Sequence, residues 1–352
     1  MGSVLSERAG SRRSAQCTLS MKQKIALIGT GGTISTRSNL GSLDFVNYMA
    51  SGSTLEVDEV LALVPEAHEQ ADILPVKFRA TSSTAIGFAE WLDLARLITR
   101  TEAEHPDVDG FVILHGTATM EETANFLHLC LGTRKPVVIT GSQRPLSGIS
   151  SDAPINLINA LRVASDPAAH DMGVLVCLND EIHAAREVTK GATSRLHAFR
   201  SPDFGMLGEV NGAGVNFYRR PLRRGGPDTE FCIAALSSLP RVDIVYCYAG
   251  DDGTLVRALV AAGARGIVMA SFPGGRLSPA QKEACTQAVQ AGVTIVISTR
   301  SGSGHAHVAH DLLDAGMIPA GNLNPQKARV LLALALSVSS GASDIERIFE
   351  SY

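Results

Sequence analysis

The sequence predicts an α/β protein made of two parallel-sheet α/β domains, a larger N-terminal one and a smaller C-terminal one. Three observations carry this. Near-continuous apolar runs of strand length alternate with helix-length amphipathic stretches, the pattern of a sheet buried on both faces. The alternation stops at 218–230 and then restarts. A length of 352 residues, at roughly 150 per domain, corresponds to about two domains.

In chain order, KIALIG (24–29) is the first such strand, followed by DGFVILHG (109–116), KPVVITGS (135–142) and MGVLVCLND (172–180). Between them AIGFAEWLDLARLITRTEAEH (85–105) sets Ile86, Trp91, Leu92, Leu94 and Ile98 near one helical face. MEETANFLHLCLG (120–132) opens with two glutamates, matched to the positive end of a helix dipole, and stops at a glycine. YRRPLRRGGPDTE (218–230) has four Arg, two Pro and two Gly without periodicity and is expected to be a solvated linker. RVDIVYCYAG, LVRALVAAGARG, GIVMASF, QKEACTQAVQAG, VTIVIST and PQKARVLLALALS then renew the α/β alternation. The expected division is a disordered tail at 1–21, a first domain at 22–217, a linker at 218–230 and a second domain at 231–352. The tail is polar and basic without an apolar core, unlike a secretory signal, and Met21 is a candidate start.

Composition narrows the function. Apolar residues make up 45% and charged residues 19%, enough for a large core and against disorder. A net charge of −4 leaves no electrostatic footprint for nucleic acid or an anionic membrane. No run reaches the ~20 apolar residues of a membrane span. None of the six cysteines forms a C-x-x-C pair, and those in VLVCLND and IVYCYAG fit buried thiols. The expected setting is cytoplasmic, with a small-molecule substrate.

Active sites of such sheets collect at the carboxyl ends of the strands, and three clusters fall there. GTGGT, Gly29 to Thr33, lacks the third glycine of a dinucleotide loop, since position 34 is Ile34, and no phosphate-binding lysine follows. Its glycines can instead expose the Thr33 hydroxyl. HGTAT, His115 to Thr119, can be a helix N-cap or present the Thr117 hydroxyl. AREVTK, 185–190, brings Lys190, which would be solvated alone but could activate a hydroxyl if held neutral by burial.

GTGGTIS (29–35), DGFVILHGTATMEETANFLHL (109–129), KPVVITGSQRP (135–145), SSDAPINLINAL (150–161), REVTK (186–190) and LNPQKARVLLALAL (323–336) resemble the bacterial L-asparaginase and glutaminase-asparaginase family. The resemblance spans about residues 22–352, both domains in order. It implies an amidohydrolase without metal or cofactor, and a homotetramer, a dimer of dimers, with active sites between paired subunits. The family's nucleophile falls on Thr33, and its second threonine and lysine on Thr117 and Lys190. A loop tyrosine normally assists, for which Tyr48 is the candidate. The serine that helps hold the substrate carboxylate falls on Ser83, followed by Thr84. Oxyanion donors are expected from backbone N–H groups near Thr117 and Ala118, beside Gly116.

Four positions depart from the family pattern. Ala118 stands where the family has the aspartate that grips the substrate α-ammonium and touches the lysine. Thr84 replaces a glutamine, Gly250 an asparagine, and the HAHVAH stretch (305–310) contains no acid where a neighbouring subunit would offer one. An α-ammonium buried without these partners costs several kcal/mol. The expected substrate is therefore a small amide, ureide or related carbonyl compound without a free α-amino group. Plain L-asparaginase activity, or a catalytically silent ligand-binding protein, are the alternatives. His305, His307 and His310 fit surface histidines on a Gly/Ser loop, or one of them could contact a substrate carbonyl; their spacing lacks an acidic or cysteine partner for a metal.

Overall fold

Strand Lys24–Gly31 is second from one edge of the large sheet, flanked on one side by the edge strand Asp72–Thr81 and on the other by Gly110–Leu114, both parallel to it. The computed structural model describes residues 22–352; the expected tail, with Cys17 and Met21, lies outside the described residues. Beyond Gly110–Leu114 the sheet adds Val137–Thr140 and Val174–Leu178, again parallel. Their side chains alternate between two apolar layers: Ala26, Ile28, Phe111 and Ile113 enter one, and Ile25, Leu27, Val112 and Leu114 the other. That two-sided burial is why these strands are apolar throughout. Asp72–Thr81, at the edge, alternates instead.

The parallel expectation holds for these five strands and fails for the last three. Glu181–Ala184, Gly208–Asn211 and Gly214–Phe217 extend the eight-stranded sheet in antiparallel fashion. The reason is local. Asn179 and Asp180 both have positive φ, 51° and 65°, and form a two-residue hairpin turn where a straight strand to residue 180 was expected. The long helix likewise starts at Phe88, because Ser83–Ala85 form a 3-10 turn and Gly87 N–H donates to Glu90 Oε2 at 3.0 Å.

Val242–Tyr246, Gly266–Ser271, Thr294–Thr299 and Ile318–Pro319 form a second, wholly parallel sheet. Stretch 218–230 is mostly exposed, with Leu222 wholly so, while Arg219 pairs with Glu187 at 2.6 Å, Arg347 pairs with Glu230 at 2.9 Å, and Gly226 is buried. Past it, Phe231, Ile233 and Leu236 share a core with the Phe88–Glu104 helix. Helix Pro325–Val338 is wedged between the Met120–Cys130 helix and the second sheet. Its Lys327, wholly buried, donates to the carbonyls of Arg186 (2.9 Å) and Val188, fastening the segment that leads to Lys190. Burial pushes the Lys327 ammonium down to about 8.

His115 and His128 are also buried, and burial pushes both imidazoles down to about 4. The folded values lie below the ~6.5 of an exposed histidine, so the unfolded chain binds more protons between them. Stability is therefore whole above about pH 6.5 and falls as pH drops toward 4, by roughly 1–3 kcal/mol for each ring. Urea unfolding across this range should show a shallower decline for His115→Asn and His128→Asn than for the parent.

Candidate active site

Two adjacent strand ends meet here without any side chain between them. Gly31 and Gly32 close the first strand at φ 93° and 82°, in the left-handed region open to glycine. A Cβ on Gly32 would collide with the Gly116 backbone, and one on Gly116 would lie 2.7 Å from Ser83 Oγ. Two backbone segments thus touch, with the Ser83 side chain against Gly116, and Thr33 and Thr117, each following one of these glycines, come at the carboxyl ends of neighbouring strands.

Each hydroxyl has its own partner. Thr33 Oγ1 lies 2.9 Å from Tyr48 Oη. Tyr48 opens a short helix in a loop organised by Asp44, whose carboxylate accepts from Ser38 Oγ and Asn47 N–H, both at 2.7 Å. Those bonds, the Ser38 hydroxyl first, hold the Asp44 carboxyl below its usual range. Lys190 Nζ donates to Thr117 Oγ1 at 2.7 Å. Lys190 sits in a two-residue strand paired with Phe199, whose ring centroid is 6.0 Å from the ammonium. Half-burial lowers the Lys190 pKa, and the Glu121 charge opposes that shift. A lysine biased toward the neutral form can take a proton from a hydroxyl it already touches.

The turn carrying Thr117 is fixed from inside. Trp91 Nε1 can only donate, and it does so to Thr123 Oγ1 at 2.7 Å. The Thr123 hydroxyl proton is then free for His115 Nε2 at 3.0 Å, which leaves Nδ1–H to donate to the Gly116 carbonyl at 2.7 Å. In a trans peptide the carbonyl and the next N–H point oppositely, so this bond aims the Thr117 N–H away from the core. The Thr117 and Ala118 N–H groups have no acceptor among the described residues.

Of the other sequence candidates, Ser83 is buried against Gly116, and its carbonyl accepts from Thr119 Oγ1 at 2.8 Å. Thr84 and Ala118 are exposed, the Thr84 hydroxyl lying 2.9 Å from Ser82 Oγ. Gly250 has positive φ and open space around it. His305, His307 and His310 are exposed, with the first two rings 5.3 Å apart. Among the described residues no hydrogen bond joins them to either hydroxyl pair, and no group of three or more His, Cys, Asp or Glu could hold a metal ion. Sequence reasoning did not single out Glu121, Asn324 or the Trp91–Thr123–His115 relay. Glu121 reads as one of two helix-dipole glutamates, and nothing local says that only one is buried.

A glycine-opened pair of strand ends presents one hydroxyl bonded to a tyrosine and another to a lysine on a two-domain α/β frame, an arrangement suited to hydroxyl-based hydrolysis. Comparison with known proteins gives the family. Residues 24–223 match the family model "Asparaginase, N-terminal" and residues 241–349 match "Glutaminase/Asparaginase C-terminal domain". L-asparaginase 2 of Bacillus subtilis is 38% identical, covering 98% of this chain and 92% of its own. L-asparaginase 2 of Escherichia coli is 37% identical with 93% of each chain covered, and glutaminase-asparaginase of Pseudomonas fluorescens 35%, with 93% and 90% covered. The crystal structure of a probable cytoplasmic L-asparaginase from Campylobacter jejuni superposes with a TM-score of 0.89 at 38% identity, over 94% of this chain and all of that one. The protein belongs to the asparaginase family and is an amidohydrolase.

A methyl group at position 32 tests the contact on which this geometry rests. Gly32→Ala combines a strained φ with collision against Gly116, and should cost about 1–3 kcal/mol for the backbone alone. Urea unfolding should report that loss, and a turnover assay on refolded protein should show most activity gone.

Proposed function

We propose that the protein is a threonine-dependent amidohydrolase that hydrolyses the side-chain carboxamide of L-asparagine or a close analogue, releasing ammonia. The observation that carries the reading is the pair of partnered hydroxyls, Thr33 with Tyr48 and Thr117 with Lys190, on abutting strand ends. Relatives at 34–38% identity over nearly the whole chain, described as L-asparaginases and glutaminase-asparaginases, support the amide as substrate.

Thr33 Oγ1 attacks the carboxamide carbon, giving up its proton as the C–O bond forms, with Tyr48 Oη the hydroxyl placed to relay it. The Thr117 and Ala118 N–H groups stabilise the oxyanion. The C–N bond breaks as nitrogen is protonated and leaves as ammonia. Water, its proton taken through Thr117 and Lys190, then cleaves the Thr33 ester and restores the hydroxyl. No metal or other cofactor enters. Ser83 and the Gly116 backbone hold the substrate carboxylate end, with Thr84 and Ala118 lining the rim.

A second reading, favoured by Ala118, concerns the amine. The side chain at 118 is a methyl, and the HAHVAH stretch carries no acid. Asp311, just after it, is engaged by Lys282. This arrangement supports a carboxamide without an α-ammonium, such as succinamate or an N-acylated amino-acid amide.

Assembly belongs to the same proposal. Ile244 and Tyr246 on an edge strand of the smaller sheet, and Tyr248 just past its end, are all exposed ahead of Gly250, as a face awaiting a second copy would be. A dimer of dimers is the expected closed form. The buried thiols of Cys130, Cys177, Cys247 and Cys285 support a reducing, cytoplasmic setting. Division at 217 and 230 stays the proposed boundary.

Thr33→Ala should abolish ammonia release, and Thr117→Ala and Lys190→Met should each lower kcat about 10²–10⁴-fold. Unchanged activity in Thr33→Ala would remove that hydroxyl from the reaction. The substrate readings separate in one assay of L-asparagine against succinamate. A kcat/KM for L-asparagine of about 10⁴ M⁻¹s⁻¹ or more sinks the amine-free reading. A succinamate preference that moves toward L-asparagine in Ala118→Asp supports it. Light scattering that finds an active monomer would overturn the assembly.

A further inference from the structure

One buried carboxylate near the site takes no part in the chemistry above. Glu121, in the first turn of the Met120–Cys130 helix, is 6% exposed. Its Oε2 accepts from Asn324 Nδ2 at 2.9 Å and its Oε1 from Gln326 Nε2 at 3.1 Å. Asn324 is itself fixed: its Oδ1 caps the Pro325–Val338 helix by accepting from Lys327 N–H at 3.0 Å, while Nδ2 lies 3.3 Å from Thr189 Oγ1, beside Lys190. Both amide partners are neutral, so they orient the carboxylate without cancelling its charge. In a buried setting that charge acts on the cations nearby, and these are Lys190 and Lys327. Lys327 already gives its protons to two backbone carbonyls.

We propose that Glu121, held by Asn324 and Gln326 from the smaller domain, is a positioning residue for the Lys190–Thr117 pair and supplies the carboxylate charge that Ala118 does not. The proposal rests on the proton-transfer role given to Lys190 above. The other groups around Lys190 are the Thr117 hydroxyl from the strand-to-helix turn and the Phe199 ring with Arg200 from the paired strand. Glu122, next along the helix, lies 4.0 Å from Arg329, and the Arg186 guanidinium donates to the Tyr352 carbonyl and Asn322 Oδ1. Glu121 is thus the carboxylate whose charge bears on the Lys190 ammonium.

A purely structural glutamate and a charge-setting one differ in what they do to a titration. Loss of the negative charge favours the neutral lysine, so the base form appears at lower pH. In Glu121→Gln the ascending limb of kcat/KM should move to lower pH, and below the parent's midpoint the variant should keep a several-fold larger fraction of its plateau. Glu121→Asp should stay near the parent. Gln326→Lys, which sets a cation against Glu121 without removing it, should move the limb the same way and serves if Glu121→Gln does not fold. NMR titration of ¹³C-lysine-labelled protein, with the Lys190 signal identified by its loss in Lys190→Arg, reads the same shift without turnover. Coincident Lys190 titrations in the parent, Glu121→Gln and Gln326→Lys would overturn the proposal. A parent that releases no ammonia from any amide would overturn the reaction instead, with the NMR result still deciding the role of Glu121.

Discussion

The contact between Gly32 and Gly116 is the constraint on which the site depends. Parallel strands lie about 4.8 Å apart, and a side chain at either position would force the two turns to diverge. With hydrogen on both, the backbones touch, and residues 33 and 117 each follow directly from that contact. Ser83 closes the third side from the end of the edge strand, its own side chain in contact with Gly116. Every later feature inherits this spacing: the tyrosine reaches one hydroxyl, the lysine the other, and the exposed N–H groups lie at the start of the following helix.

What the contact places, burial tunes. Lys190 projects from a two-residue strand stabilised by its pairing with Phe199, and the preceding segment is tied down by Lys327 from the smaller domain. The ammonium loses water on folding and gains a ring face and a hydroxyl in exchange, neither of which repays full solvation. Its affinity for a proton therefore drops, and Glu121 limits the drop. The interdomain helix thus serves the site twice, through Lys327 beneath the strand and through Asn324 at its own N-terminus. In the proposed reaction this gives the smaller domain a share in proton transfer without placing a side chain of its own on the two hydroxyl pairs.

The fold was legible wherever burial left a periodic mark. KIALIG, DGFVIL and KPVVIT read as strands because both faces are covered, and all five residues assigned to the apolar face of the long helix are buried. The antiparallel end of the sheet was not legible, because Asn179 and Asp180 turn the chain within a run that reads as one strand. The packing of Phe231, Ile233 and Leu236 on the Phe88–Glu104 helix escaped for a different reason: their neighbours lie more than a hundred residues away. At the candidate site, GTGGT, HGTAT and AREVTK pointed to segments that follow strands, and the structure sets Tyr48 against Thr33 and Lys190 against Thr117. Glu121 and Asn324, about two hundred residues apart, carry no local signal that they meet.

Backbone and side chains carry different parts of this chemistry. The proposed reaction depends on glycines, strand register and helix starts, features that belong to the fold itself. Recognition of a substrate amine would depend on side chains at the rim, which can be replaced without disturbing the core. Ala118 is such a position: it is exposed, follows the fixed Thr117 peptide, and could take a larger side chain into solvent. Likeness to L-asparaginases and glutaminase-asparaginases therefore constrains the bond that is broken more tightly than the group that the substrate carries beside it. Where the rim lacks a carboxylate, an ammonium must remain hydrated or find a partner on a second subunit. In the assembly proposed above, a second subunit against the exposed face of Ile244, Tyr246 and Tyr248, ahead of Gly250, is where such a partner would have to come from.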